Sequence, residues 1–322
     1  MKVSIIMPVY NAEATLQKSL DSIEAQSFRD FEVVFVNDFS TDGTLSILER
    51  FKAGSGVPCT IVTQPRNGGV AAARNRGLEA ARGEYVAWVD ADDAIEPQAL
   101  ERAVGAAGGA DIVGWDWTLG FEGNGRYMRQ AGYATPLEAL KALTGGTMRW
   151  NLWLFMTRRS LIEENYIRFI PQADMGEDMM FMLKAFAFAG RVVQLHEALY
   201  RYNAVSSGSI SRQFSERRRR EVEANVTEAE KALLGSEYGG ELEKYLHYLK
   251  LYIKLPLIMS ADKENYTIWY GWYNGSNRYA AANRALPWRT RAVQWMAAHR
   301  LWAGVWLYYV LVYKFVYGVI YR

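Results

Sequence analysis

Four short apolar runs, residues 3–9, 31–36, 59–62 and 84–89, alternate with three stretches of helical periodicity. Leu16, Leu20 and Ile23 share one face of the first helix, for which Asn11 is the expected cap. Leu45, Leu48 and Phe51 do the same in the second, and the third, residues 69–81, stops near Gly83. This alternation leaves few folds open. A strand followed by a crossover helix packs back with one hand, so the expectation is α/β: a Rossmann-like, mixed but mostly parallel sheet with helices on both faces. Ligands of such sheets collect beyond the carboxyl ends of the strands.

The strand exits carry the chemistry. The fourth run ends in Asp90, Asp92 and Asp93. Two carboxylates one residue apart, beside a third, suit a hard divalent cation that takes its remaining ligands from water and a diphosphate; an Asp-rich turn is the plainer alternative. The first run leaves through Pro8-Val9-Tyr10-Asn11, offering a ring on which a planar base could stack. The second leaves through Asn37-Asp38-Phe39-Ser40-Thr41-Asp42-Gly43-Thr44, with Asp38 an acceptor for a base imide or ribose hydroxyl. The third leads to Asn67-Gly68-Gly69 and a helix carrying Arg74 and Asn75, a close-approach turn and a cation for phosphates. Singly, each reads equally well as turn chemistry, a loop hinge or a surface charge.

Beyond Pro97 the pattern loosens into a helix over 98–107, a strand near 112–117, a Gly-rich stretch over 120–132, a helix over 136–143 and a Trp- and Leu-rich segment over 148–155. A helix and turn over 158–169 precede a helix over 176–189 that opens with Glu177 and Asp178, carboxylates that also suit a helix amino terminus. A charged helix starts at Ser215, its Arg217 to Arg220 balanced by glutamates as on a solvated face.

After Glu264 there is no acidic residue, while Arg278, Arg284, Arg289, Arg291, Arg300, Lys314 and Arg322 lie among many Trp and Tyr. Trp288, Trp295 and Trp302 repeat at seven-residue spacing, an aromatic helix stripe suited to a membrane interface. Residues 301–321 hold one charge, Lys314, and as a helix would extend about 30 Å. The stripe Tyr309, Tyr313, Tyr317 and Tyr321 favours shallow insertion over spanning, with docking on protein as the alternative.

A net charge of +2 argues against nucleic acid as a partner, and one cysteine, Cys59, argues against a disulfide framework and for a reducing compartment. Three scattered histidines, His196, His247 and His299, argue against a structural zinc site. Met1-Lys2 runs straight into a strand-like segment, too short for a signal peptide, so the chain is expected to start in the cytoplasm.

Pro-Val-Tyr-Asn at 8–11, Asn-Asp-x-Ser-x-Asp-Gly-Thr at 37–44, Asn-Gly-Gly-x-x-x-Ala-Arg-Asn-x-Gly at 67–77, Asp-Ala-Asp-Asp at 90–93 and Glu177-Asp178, in this order, resemble the family 2 glycosyltransferases with the A-type glycosyltransferase fold. The resemblance covers about residues 2–211 and is most specific in the first hundred; it is nearest in type to bacterial enzymes of capsule, exopolysaccharide or lipopolysaccharide synthesis. It implies a catalytic domain over 1–215, with a nucleotide-sugar half (1–96) and an acceptor half (97–215). A helical extension would follow over 216–283, and basic aromatic membrane-associating helices over 284–322.

The implied activity is inverting transfer from a nucleotide-sugar, usually a UDP-sugar, to a hydroxyl of a glycan or lipid-linked acceptor, with Mg²⁺ or Mn²⁺. By matching motif, Tyr10 would stack on the base with Pro8 and Val9 lining it, and Asp38 would bind the base. Asn67 and Arg74 would lie near base and diphosphate, Asp90 and Ala91 at the nucleotide-sugar, Asp92 with Asp90 at the metal, and Asp178 would be the general base. The enzyme would sit on the inner face of the plasma membrane through its carboxyl terminus, with homo-oligomers open. Relatives often carry His or Arg in the loop matching 200–211, where this chain has only an early Arg201. Trp150 and Trp153 read as core before they read as an acceptor wall. Two rivals share parts of this pattern, a sugar nucleotidyltransferase and a catalytically inactive nucleotide-sugar-binding subunit at the membrane; a dinucleotide oxidoreductase is disfavoured because no Gly-x-Gly-x-x-Gly follows the first strand.

Overall fold

The computed structural model describes residues 1–121, 124–203 and 215–312. The chain folds as two units, Met1–Ala139 with Trp150–Ser236, and Leu140–Arg149 with Glu237–Arg322.

The first unit is built on one mixed sheet. Strands β1 (Val3–Val9), β2 (Phe31–Asn37), β3 (Cys59–Thr63) and β4 (Tyr85–Trp88) lie parallel in the order β3-β2-β1-β4, linked by helices α1 (Leu16–Glu24), α2 (Thr44–Gly54) and α3 (Val70–Ala80). Every residue of β2 is buried, as are those of β4, which is why these strands read as continuous apolar runs. The sheet continues through β8 (Phe155–Arg158), β6 (Ile112–Phe121), β9 (Val192–Asn203) and β5 (Ala94–Ile95), with β7 (Asn124–Met128) as a hairpin partner of β6. In this second half only β6 and β9 run parallel; the other pairings are antiparallel. Of the two long strands, β6 is foreseen by its sequence and β9 is not.

Helix α7 (Glu177–Phe188) buries every residue from Met179 to Ala187, all of them apolar but Lys184, whose ammonium donates to Glu228 Oε1 at 2.6 Å. It is tied to β4 by an aromatic trio: Trp88 meets Phe169 at 5.6 Å and Phe181 at 5.7 Å edge to face, and Phe169 stacks on Phe181 at 4.7 Å. Such pairs add about 0.5–1.5 kcal/mol each beyond their burial. The acid-tipped end of β4 and the amino terminus of α7 are thereby anchored in one core. Helix α8 (Glu216–Gly235) packs on α7 and secures the approach to it, with the Asn225 amide donating to the carbonyls of Ala173 and Met175.

Two sequence expectations are corrected. Asn11 does not cap α1, which starts at Leu16 with Thr15 as its cap; the Asn11 side chain instead accepts the Thr41 N–H at 2.8 Å. The tryptophan stripe does not lie on one helix either. In the second unit α11 (Trp288–Ala298) ends before a left-handed Arg300, and α12 (Trp302–Tyr308) starts anew, so that Trp302 stacks on Tyr266 while Trp288 and Trp295 stay exposed. Among the described residues no helix is long and apolar enough to cross a membrane. The stretch 313–322, with Tyr313, Lys314, Tyr317 and Tyr321, lies outside the described residues, as does 204–214, which takes in residues 204–211 of the loop singled out above.

The same unit contains α9 (Gly239–Ile258) and α10 (Glu264–Gly271). The wholly buried Lys254 of α9 donates to the carbonyls of Trp269 (3.0 Å) and Trp272 (2.7 Å) and to Asn277 Oδ1 (2.6 Å), over the Trp269 ring. Burial pushes its ammonium down to about 7, against three acceptors and an aromatic face that favour the cation.

Candidate active site

The exits of β1 and β2 are stitched into one ledge. Asn11 N donates to Ser40 Oγ (3.0 Å), Ala12 N to Thr44 Oγ1 (2.8 Å) and Glu13 N to Asp42 Oδ2 (3.1 Å), while Gly43 N donates back to Glu13 Oε2 (2.9 Å). Ser40, Asp42, Gly43 and Thr44 are therefore occupied in holding the first loop. Tyr10 projects from that loop, 52% exposed; Val9 beneath it is buried and Pro8 half-buried.

Asp38 is 4% exposed, and its carboxylate is taken by the chain itself: Oδ1 accepts from Gln64 Nε2 (2.5 Å) and Gly68 N (2.7 Å), Oδ2 from Gly69 N (2.9 Å). Burial pushes the carboxyl up, against three hydrogen bonds that favour the anion. Asn67 is exposed and donates to the Asp38 carbonyl at 3.3 Å. From the other side Asp174 Oδ1 accepts the Ala71 N–H at 2.9 Å, satisfying an open donor of the first turn of α3. Gly69 is required here twice over: its φ is +85°, and a Cβ would stand 2.1 Å from Asp174 Oδ2. A cavity of about 310 Å³ opens beside this turn, lined by Arg66, Asn67, Gly68, Gly69, Gln172, Asp174 and Arg217.

Arg74 and Asn75 leave α3 towards the core. The Asn75 amide pairs with the backbone of Phe169, donating to its carbonyl (2.8 Å) and accepting its N–H (2.9 Å). Gly77 lets the helix settle on β1, where a Cβ would meet Ile6 at 2.3 Å. The buried Arg74 guanidinium donates from Nη1 to Glu177 Oε1 (2.8 Å) and Asp178 Oδ1 (2.7 Å) and lies 3.8 Å from Asp90 Oδ1 through Nη2. Arg74 thus reaches a carboxylate 104 positions along the chain. Asp178 is fixed at its other oxygen by the Leu152 N–H at 3.3 Å, with its side chain 16% exposed.

The acid turn is held from two sides. Thr15 Oγ1, just before α1, and Ser19 Oγ within it donate to the carbonyls of Ala91 (3.2 Å) and Asp93 (2.6 Å). From β9, Tyr200 donates its hydroxyl to Asp93 Oδ2 (2.8 Å) and accepts the Asp90 N–H (3.1 Å), and Asn203 N donates to Asp93 Oδ1 (2.7 Å). Asp93 is buried and points into the protein, whereas Asp90, Ala91 and Asp92 are half-buried. Burial, more than the neighbouring acids, raises the Asp90 carboxyl to about 6; Asp178 and Asp92 push the same way and Arg74 pulls back. Trp153, stacked on Tyr200 at 4.4 Å, is buried core.

Among the described residues no three His, Cys, Asp or Glu side chains are grouped to hold a metal ion unaided. Asp90 and Asp92 offer hard oxygen donors, and their mutual repulsion marks a place where positive charge is favourable; this set fits Mg²⁺ or Mn²⁺ completing its shell with water and phosphate oxygens.

The model of the family described as "Glycosyl transferase family 2" matches residues 4–173. The chain belongs to glycosyltransferase family 2. EpsH of Bacillus subtilis is 34% identical to this family 2 member over 225 residues, 65% of this chain and 63% of EpsH. The chain spans 60–63% of the length of the first curated relatives it matches. Among solved structures, Staphylococcus aureus TarS 1–349 in complex with UDP-GlcNAc superposes with a TM-score of 0.75 at 21% identity, over 100% of this chain and 93% of that one. The mannosyltransferase PcManGT from Pyrobaculum calidifontis, in complex with GDP-Man and Mn²⁺, superposes at 0.57 and 21% identity, over 99% of this chain and 88% of that one. These superpositions support the A-type fold expected from the motifs of this family 2 chain.

The structure thus brings Arg74, Asp90 and Asp178 together and sets Tyr10, Asp38 and Asn67 along the neighbouring strand exits. Sequence reasoning did not name Gln64, Asp174 or Tyr200 as site residues, and it placed Glu177 beside Asp178 in a motif and at a helix end without giving it a role in the site. The first two stand alone in loops without a pattern, and Tyr200 lies in the unrecognised β9.

Proposed function

We propose that this family 2 glycosyltransferase moves a sugar with inversion from a UDP-sugar to a hydroxyl of a glycan or lipid-linked acceptor in bacterial cell-surface polysaccharide synthesis. The observation that carries the reading is Arg74, which joins the Asp90 end of β4 to the Glu177-Asp178 end of α7. A donor's diphosphate and an acceptor hydroxyl have to be handled on two sides of one anomeric carbon, and these are two carboxylate-bearing ends that meet at one guanidinium.

The acceptor hydroxyl has a pKa far above 7, so it must lose its proton as it attacks; Asp178, paired with Arg74 and oriented by the Leu152 N–H, takes it. On the other side Asp90 and Asp92 would hold Mg²⁺ or Mn²⁺, and the ion would supply positive charge against the departing diphosphate. Tyr10 offers its exposed ring to the base. Asp38, engaged with Gln64, Gly68 and Gly69, shapes the base subsite and keeps lone-pair capacity for one further donor. Asn67 lies on the same turn, and Ala91 leaves room beside the two acids. One base and one metal suffice, and no covalent nucleophile is required.

The UDP choice draws support from the fold shared with TarS, whose complex contains UDP-GlcNAc, and the metal choice from the Mn²⁺ beside PcManGT. The exposed Trp288, Trp295 and Trp306, with arginines and no acid after Glu264, support a peripheral place on the anionic inner face of the plasma membrane. The test is thermal stabilisation by UDP, GDP and dTDP with and without Mg²⁺, followed by release of UDP from UDP-sugars. Metal-dependent stabilisation by UDP, lost in Asp92→Ala, is the expected result; stabilisation that ignores the metal and survives Asp92→Ala would defeat the metal assignment.

A further inference from the structure

Two rings stand half in solvent at neighbouring strand exits. Tyr10 follows β1 directly, and Phe39 follows β2 by two residues; Val9 pairs in register with Asn37, and Asp38 N donates to the Val9 carbonyl at 2.9 Å. The rings therefore leave the sheet from adjacent backbones, 52% and 48% exposed. Phe39 has a φ of +61°, a left-handed backbone that is an outlier for a bulky side chain.

Residues held in this way persist where their surroundings enforce them, and they gather at ligand sites. The enforcement is visible: Ser40 N donates to Asn37 Oδ1 at 3.0 Å, Asn11 N to Ser40 Oγ at 3.0 Å and Thr41 N to Asn11 Oδ1 at 2.8 Å. An exposed phenyl ring gains nothing from water, and a glycine would occupy this backbone without strain. Next door the Asp38 carboxylate is already engaged by three donors, so side-chain surface for a base has to come largely from rings.

We infer that Phe39 is a donor-binding residue, pairing with Tyr10 to clamp the planar base of a nucleoside diphosphate. The inference rests on the nucleotide-sugar reading and adds to it a second ring that none of the motif positions assigns.

The test is UDP binding to the full chain by calorimetry in the presence of Mg²⁺, together with thermal unfolding, for four substitutions. Phe39→Ala and Phe39→Gly should each raise the Kd for UDP about tenfold, the scale of one lost base–ring stack. Phe39→Tyr and Phe39→Trp should keep the wild-type Kd. Phe39→Gly alone should raise Tm, by about 2–4 °C, because it relieves the left-handed backbone. The Mg²⁺ requirement at saturating UDP should not move. Unchanged UDP affinity in both Phe39→Ala and Phe39→Gly, with the wild type binding UDP, would overturn the role of Phe39 and leave the donor reading standing. A wild type that binds none of UDP, GDP and dTDP would overturn both.

Discussion

A single guanidinium carries one positive charge, yet Arg74 faces Glu177, Asp178 and Asp90. The surplus negative charge shows in Glu177, whose carboxyl is pushed up to about 8 by burial first and by Asp178 second, with Arg74 opposing. Glu177 therefore holds its proton near neutrality, leaving the cation to Asp178 and Asp90. The direction of the pH effect follows. A carboxyl whose folded value lies above its unfolded one binds more protons when folded, so its contribution is complete below the ordinary glutamate range and lost as pH rises towards 8. Glu177→Gln should remove that slope: across this window the wild-type Tm falls relative to the variant's, measured by thermal unfolding in a pH series. Parallel profiles would show that Glu177 is ionised throughout.

At the scale of elements, β9 is the piece that turns a strand-end acid cluster into a fixed site. Its Tyr200 touches both Asp93 and the Asp90 backbone, so the turn carrying Asp90 and Asp92 depends on a strand more than a hundred residues away. Tyr200→Phe should raise the Mg²⁺ concentration needed for half-maximal UDP binding by about tenfold, the usual effect of losing a partner behind a metal ligand. A loss of stability with an unchanged metal requirement would reduce Tyr200 to packing. The same element marks the limit of what the sequence discloses. Strands β1, β2 and β4 were legible because burial on both faces makes them continuous apolar runs. In β9, Val-Val-Gln-Leu-His-Glu-Ala-Leu-Tyr-Arg-Tyr-Asn is half-buried with no clean alternation, and no period announces it. Motif order pointed to Arg74, Asp90 and Asp178 as one site, but their meeting is a long-range packing event set by the Trp88, Phe169 and Phe181 core, which no local pattern encodes. Asn11 was misread as a cap because a short polar side chain before a helix has the same signature whether it serves the helix or a neighbouring loop. The tryptophan stripe failed for a different reason, since spacing cannot reveal the helix break at Arg300.

For the whole molecule, the proposed membrane surface has a direct check. The full chain should pellet with vesicles containing phosphatidylglycerol, less as salt is raised, and not with phosphatidylcholine alone. Replacing Trp288, Trp295 and Trp306 together by Ser should leave it in the supernatant while UDP binding persists; undiminished pelleting would assign the exposed rings another partner. In the proposed reaction two carboxylate-bearing ends act on one donor, Asp178 taking a proton and having no part in nucleotide binding. The most direct measurement compares Mg²⁺-dependent UDP affinity with sugar transfer in Asp178→Asn. UDP affinity within about twofold of wild type, with transfer reduced by about 10²–10⁴-fold, is the result expected of a lost general base. Equal losses in both, or transfer left intact, would contradict it.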